Sequence, residues 1–101
     1  MAAEVFRVGT LVFHRRYRYR GVVVGCDPCC LAEEDWYRGN RTQPSRQQPW
    51  YHVVVDGSAH TTYVAAENLE EDVSDEPVQN PLVEKFFAFF HRGRYYRTSF
   101  N

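Results

Sequence analysis

No run of apolar residues in this chain approaches the ~20 needed to cross a bilayer as a helix. The opening residues, MAAEVFRVG, lack the charged and apolar regions of a secretory signal. Net charge is only −1, so no global field draws the molecule to nucleic acid or to a membrane. Cysteine is scarce: Cys26, Cys29 and Cys30 are an odd number in one short stretch, and a disulfide between the adjacent pair would be strained. Reduced thiols and a cytosolic protein are therefore expected. The Cys26-x-x-Cys29 spacing resembles half of a zinc site, but no second CxxC or HxxxH pair follows, although His52 and His60 lie further along. A Cys–His nucleophile pair has no support from spacing either. Neither a metal, a cofactor nor catalysis is expected.

The 101 residues are enough for one small core. The clearest local instruction is QPWYHVVVDGSAHTTYVAAENLE, residues 48–70. Trp50–Val55 is aromatic and β-branched, the composition of a half-buried strand. Asp56-Gly57-Ser58 breaks the run and His60–Val64 resumes it, which predicts an antiparallel hairpin. Upstream, Leu11–His14 has strand character, and the glycine-bounded run Gly21–Gly25 reads as a buried strand that ends at Asp27-Pro28. Residues 29–49 form a long polar loop with room for a helical turn around Leu31–Tyr37. After the hairpin, Ala65–Asn68 predicts one helical turn and Leu69–Val73 a last strand.

Asn80-Pro81 carries the signature of a helix start. At 100° per residue, Leu82, Val83, Phe86, Phe87, Phe89 and Phe90 share an arc of roughly 160°, which predicts an amphipathic helix, stopped by Gly93. The expected fold is mainly β: a small SH3-like or OB-like barrel of about five strands over residues 1–76, with the C-terminal helix and tail, 77–101, packed on it. That helix either caps the barrel or offers Phe86 and Phe89 to a partner or a second copy.

Charge is unevenly spread. Four arginines fall within Arg15–Arg20, while residues 67–76 carry six acids and no base. Read as a strand, the period of two places Arg16, Arg18 and Arg20 on one face and Tyr17 and Tyr19 on the other. Two readings fit. In one, Arg15, Arg16, Arg18 and Arg20 meet phosphates while Tyr17 and Tyr19 stack on bases or sugars. In the other, the charges guard an exposed edge strand against association. The acidic run is a solvated rim, unsuited to DNA. Trp36 and Tyr37 in the long loop are candidates for contact with a partner. His52 is expected in a partly buried wall, bonded to backbone, and Asp27 in a turn.

Three segments together resemble the YccV/HspQ family, described as a hemimethylated DNA-binding domain. The first holds Val8-Gly9, Leu11-Val12, His14, Tyr17, Tyr19, Gly21–Val23 and Asp27-Pro28. The second is Gln48–Val53 through Val55-Asp56, and the third Thr62–Ala65 with Glu67–Leu69. They span residues 6–73 in the family's order. The resemblance implies an SH3-like barrel without enzymatic activity that binds double-stranded, hemimethylated DNA. It also implies a second possibility, since bacterial HspQ-like members are heat-shock factors that modulate ATP-dependent proteolysis and chloroplast relatives resemble adaptors of a Clp-type protease. The partner would then be an AAA+ protease or its substrate. The segment after Asn80-Pro81 is similar to the tail of longer members, including the module of certain F-box proteins. With nothing beyond the domain in these 101 residues, a free-standing bacterial member is expected. The family supplies no agreed set of DNA-contacting residues, so none is carried over.

Overall fold

The structure is a computed structural model that describes residues 5–97. Five strands form one antiparallel sheet: β1 (Leu11–His14), β2 (Arg20–Asp27), β3 (Trp50–Val55), β4 (Thr61–Ala65) and β5 (Leu69–Glu71). Their order is β4-β3-β2-β1-β5, so β4 and β5 are the two edges. A single 3-10 turn, Ala66–Asn68, joins those edges. Such a turn rises about 2 Å per residue, while a flat five-strand sheet is nearly 20 Å across, so the sheet must coil strongly for the edges to meet the connection. The β4 and β5 strands share no ladder, and the sheet is not closed into a barrel.

Both faces of the central strand are buried. Register shifts between Val23 and Gly25, so Val24 is a bulge. On one face Val12, Val23, Tyr51, Val53, Val64 and Leu69 pack with Phe6 from the lead-in. On the other face Leu11, Val22, Val24 and Val54 pack beneath Val78, Phe87 and Tyr95 of the C-terminal segment. The remaining end of that second face is covered by the loop after β2, where Cys30 lies under Trp50 and Ala65. All three cysteines are free thiols.

The C-terminal segment departs from the expected helix. Only Val83–Phe86 is helical (α2), and Phe87 is already extended. The chain then forms a separate hairpin, β6 (Phe89–His91) with β7 (Arg94–Tyr96). Arg92 (φ 51°) and Gly93 (φ 76°) are both left-handed, the geometry of a two-residue type I′ turn. Helical periodicity therefore grouped side chains that the structure separates. Phe87 is 7% exposed, whereas Phe86 is 38% and Phe89 53% exposed. The hairpin is seated by the Tyr95 amide donating to the Gly9 carbonyl at 2.9 Å and by the Tyr95 hydroxyl accepting from the Val78 amide at 2.8 Å. Gly9 lies at φ 98°, and a Cβ there would collide with the Tyr95 carbonyl.

These placements give different expectations for neighbouring phenylalanines. Phe87→Ala leaves a cavity between sheet and cover, and a loss of about 3–4 kcal/mol in urea unfolding is expected. Phe89→Ala, at a half-exposed site, should change stability by less than about 1 kcal/mol.

Candidate functional site

The stretch after β1 is a tight turn rather than a continuing strand. Residues 15–17 are turn, Arg18 has φ 61°, and β2 begins at Arg20. The Arg18 amide donates to the His14 carbonyl at 2.9 Å, and the His14 amide to the Tyr19 carbonyl at 2.8 Å. The His14 ring organises the interior of this turn. Its Nδ1 accepts from the Arg16 and Tyr17 amides at 3.1 and 3.0 Å. An acceptor nitrogen carries no proton, so in the neutral ring the proton sits on Nε2. Burial holds the ring below its ordinary pKa, and the positive charge of Arg16 adds to the effect.

The turn breaks the expected alternation. Tyr17 stacks on His14 at 4.8 Å and is half-exposed, while Tyr19 lies 5.0 Å from the same ring and its hydroxyl bonds Thr62 at 2.7 Å. The arginines divide as well. Arg20 bonds Asp72 at 2.9 Å, Asp56 at 3.1 Å and the Glu76 carbonyl, which ties β2 to the turn after β3 and to the segment after β5. Arg15 donates to the Leu69 carbonyl at 3.2 Å and lies 3.8 Å from Glu70. Arg18 lies over the Phe13 ring at 4.9 Å. Among the described residues, Arg16 and Arg18 are exposed and form no ion pair.

Beside this turn opens a cleft of about 640 Å³. It wraps the free edge of β4. Thr62 and Val64 face it from the side of the His14 turn, and Thr61 and Tyr63 from the opposite face of the sheet. On that second side a hydrogen-bonded chain is built from residues far apart in sequence. Tyr63 donates to Asp27 Oδ2 at 2.7 Å, and His52 Nε2 lies 3.3 Å from the same oxygen. The Leu31 amide donates to the Tyr63 hydroxyl at 3.1 Å. Burial and the adjoining carboxylate outweigh that amide and push the Tyr63 phenol up to about 12, so it remains a neutral donor. His52 thus bonds a carboxylate rather than backbone, and its side chain is half-exposed.

The long loop completes the wall. Its helix α1 (Glu34–Arg38) is one turn with no side-chain cap at its start, and Asn40 and Gln43 donate to the carbonyls of Trp36 and Arg38. Arg46 donates to the Ala32 carbonyl at 2.6 Å and lies over the Tyr37 ring at 4.8 Å. The Trp50 indole donates to the Ser45 carbonyl at 3.1 Å, and Tyr37 to the Pro44 carbonyl at 2.8 Å. Adjacent residues are therefore split: Tyr37 packs inward against Trp50, and Trp36 lines the cleft 5.6 Å from the Tyr63 ring. Phe86 and Phe89 do not line this cleft. Phe89 belongs to another concavity, of about 480 Å³, where Arg94 and Tyr96 also lie. Among the described residues no three His, Cys, Asp or Glu side chains group as a metal site requires.

Sequence reasoning singled out Tyr17, Tyr19 and Trp36 as contact candidates but missed their meeting with His14, Asp27, His52 and Tyr63. The signal available was that His14, Tyr17, Tyr19, Asp27, His52 and Tyr63 all sit within the three segments that carry the family resemblance. A family model described as hemimethylated DNA-binding protein YccV like matches residues 5–94. Among curated proteins, F-box only protein 21 from Homo sapiens, Pongo abelii and Mus musculus is in each case 35% identical over 89 residues. The matched region is 84% of this chain, and the chain spans only 14% of the length of these relatives.

The His14 geometry has a pH signature. The unfolded chain takes up a proton below about pH 6.5, while the buried ring resists it. Stability from this group is complete above that pH and is lost as pH falls through the depressed folded value, with a slope of at most about 1.4 kcal/mol per pH unit. Melting temperature measured from pH 8 to pH 5 should fall over this window. His14→Asn keeps an acceptor for both turn amides and should flatten the fall.

Proposed function

The chain belongs to the YccV-like family, and from that membership we propose that it is a non-enzymatic module that binds double-stranded DNA, hemimethylated duplex included. The family match over residues 5–94 carries the reading. The coiled five-strand sheet, with its two edges joined by one 3-10 turn, is read as SH3-like. Arg16 and Arg18 project from the β1–β2 turn with no carboxylate to neutralise them, which suits contact with phosphates. Arg15 reaches Glu70, and Arg20 is engaged by two carboxylates, so their contribution is to hold the turn in place. Tyr17, stacked on His14 and half-exposed, presents a ring beside the phosphate contacts.

A second reading is supported by a different surface. Phe89 stacks on Tyr96 at 5.1 Å with both rings exposed, on a hairpin outside the main sheet. Such a pair suits an apolar protein contact, as an adaptor of an ATP-dependent protease or an oligomer would need.

Fluorescence anisotropy of one short duplex, unmethylated, hemimethylated or fully methylated, separates the readings. Hemimethylated duplex should bind most tightly, with log K falling linearly against log salt. Arg16→Ala and Arg18→Ala should each reduce the slope by about 1. Arg94→Ala, on the other concavity, should leave the slope unchanged; if it alone lowers the slope, the phosphates lie on the C-terminal hairpin. Absence of binding at low salt sinks the DNA reading and leaves the protein-contact reading.

A further inference from the structure

We propose that the cleft around the β4 edge receives a single nucleobase turned out of a duplex and stacks it against its aromatic wall. This deepens the DNA-binding reading and rests on it. The cleft's volume, about 640 Å³, lies in the range of sites that enclose small organic groups. Its walls are aromatic from two independent parts of the chain. Tyr17 stands on the turn side, and Trp36 and Tyr63 on the other, with Thr61 and Thr62 of the edge strand between. Every base has a π-face, and extruded bases are held by stacking against such rings.

The polar groups supply a matched pair of opposite kinds. His14 is 3% exposed and lines the cleft. Two backbone amides occupy its Nδ1, which leaves the Nε2–H as a fixed donor with no partner among the described residues. Asp27 is the reverse case. Its Oδ2 is engaged by Tyr63 and His52, while no bond is made to Oδ1 among the described residues. A ligand in the cleft can offer an acceptor to His14 from the turn side and a donor to Asp27 from the Tyr63 side. Every base presents both kinds of group on its Watson–Crick edge, thymine included through its N3–H and carbonyls, so these two groups hold a base without choosing among bases. The contacts that would hold the base in the cleft differ from those that meet the backbone, because the exposed arginines lie on the turn, outside the cleft lining.

Aromatic rings around a carboxylate also suit a cationic side chain. Two features weigh against that occupant. The His14 donor turns the positive end of its N–H dipole into the same space, and the turn beside the cleft carries Arg16 and Arg18. A cation would meet repulsion from both, whereas a base with its 5′ and 3′ phosphates meets complementarity.

The test uses the full chain and a duplex whose target position holds 2-aminopurine, adenine or thymine, each either paired or opposite an abasic site. Unpairing costs a few kcal/mol, so removing the opposing base should raise affinity by about tenfold at each of these target bases. The 2-aminopurine emission should change on binding as the base exchanges the duplex stack for the rings of the cleft, and should be brighter in the Trp36→Ala complex than in the wild type if the base is still extruded. Trp36→Ala and Asp27→Asn should each return the abasic-to-paired affinity ratio to near one. Trp36 is 41% exposed, so its variant remains informative should Asp27→Asn fail to fold. A ratio near one in the wild type, with salt-dependent duplex binding intact, overturns the extruded base and leaves the DNA reading standing. Loss of all duplex binding overturns both. Saturable quenching of tryptophan emission by a lysine-rich peptide, blocked in Trp36→Ala and not competed by duplex, assigns the cleft to a cationic protein segment and overturns the proposal.

Discussion

The constraint on which the rest of the structure depends is that β2 is buried on both faces. Val22 and Val23 are fully buried and Val24 is 8% exposed, although successive residues of a strand point to opposite sides. Two apolar covers are therefore required, each burying side chains that stabilise by roughly 1.5–3 kcal/mol apiece. The sheet itself provides one, by coiling until β4 and β5 meet a single 3-10 turn and Leu69 and Val64 close over Val23. The C-terminal segment provides the other, with Phe87 and Tyr95 over Val22 and Val54. Coiling also brings the β4 edge opposite the β1–β2 turn, which is why the cleft forms there. The site is a consequence of how the core is covered.

That relation explains why the β1–β2 turn is so tightly specified. Its backbone amides at Arg16 and Tyr17 converge on one imidazole nitrogen, and the ring is clamped between Tyr17 and Tyr19. Arg20 fixes the far side of the same turn through Asp56 and Asp72, with both partners largely withdrawn from solvent. Such a pair is worth more than an exposed one, since water screens it less. The arginine-rich stretch thus contains two kinds of residue, and only their partners tell them apart. In the sequence they are simply four arginines.

Much of the sheet was legible because its signals are local. Aromatic and β-branched runs located β3 and β4 to within a residue, and Gly57, at φ 78°, marked the turn between them. The glycine-bounded valines located β2, and Ala66–Asn68 was legible as one helical turn. The turn after β1 was not legible, because alternating arginine and tyrosine imitates a strand while offering no face to bury. The cleft was legible only as scattered motif residues. Nothing in sequence spacing says that Asp27, His52 and Tyr63 converge, since the contact depends on Gly25 lying opposite His52 and on Tyr63 pairing with His52 across β3 and β4.

The C-terminal segment shows how the same residues support two incompatible local structures. Four phenylalanines spaced over five positions satisfy a helical stripe, and His91-Arg92-Gly93 satisfies the end of a helix. The identical letters also satisfy a hairpin, with Arg92-Gly93 as its two-residue turn and Phe89, Phe90, Tyr95 and Tyr96 as facing aromatic pairs. Local preference cannot separate these, and the core decides. A continuous helix would bury Phe86 and Phe89 beside Phe87, but the outer face of β1–β3 has room for Phe87, Tyr95 and the edge of Phe90. The hairpin delivers Tyr95 to that face and to the Val78 amide, which no helix ending at Gly93 can do. Its cost is an exposed Phe89–Tyr96 stack, and a surface of that kind persists where the hairpin's geometry is worth more to the core than the burial of two rings.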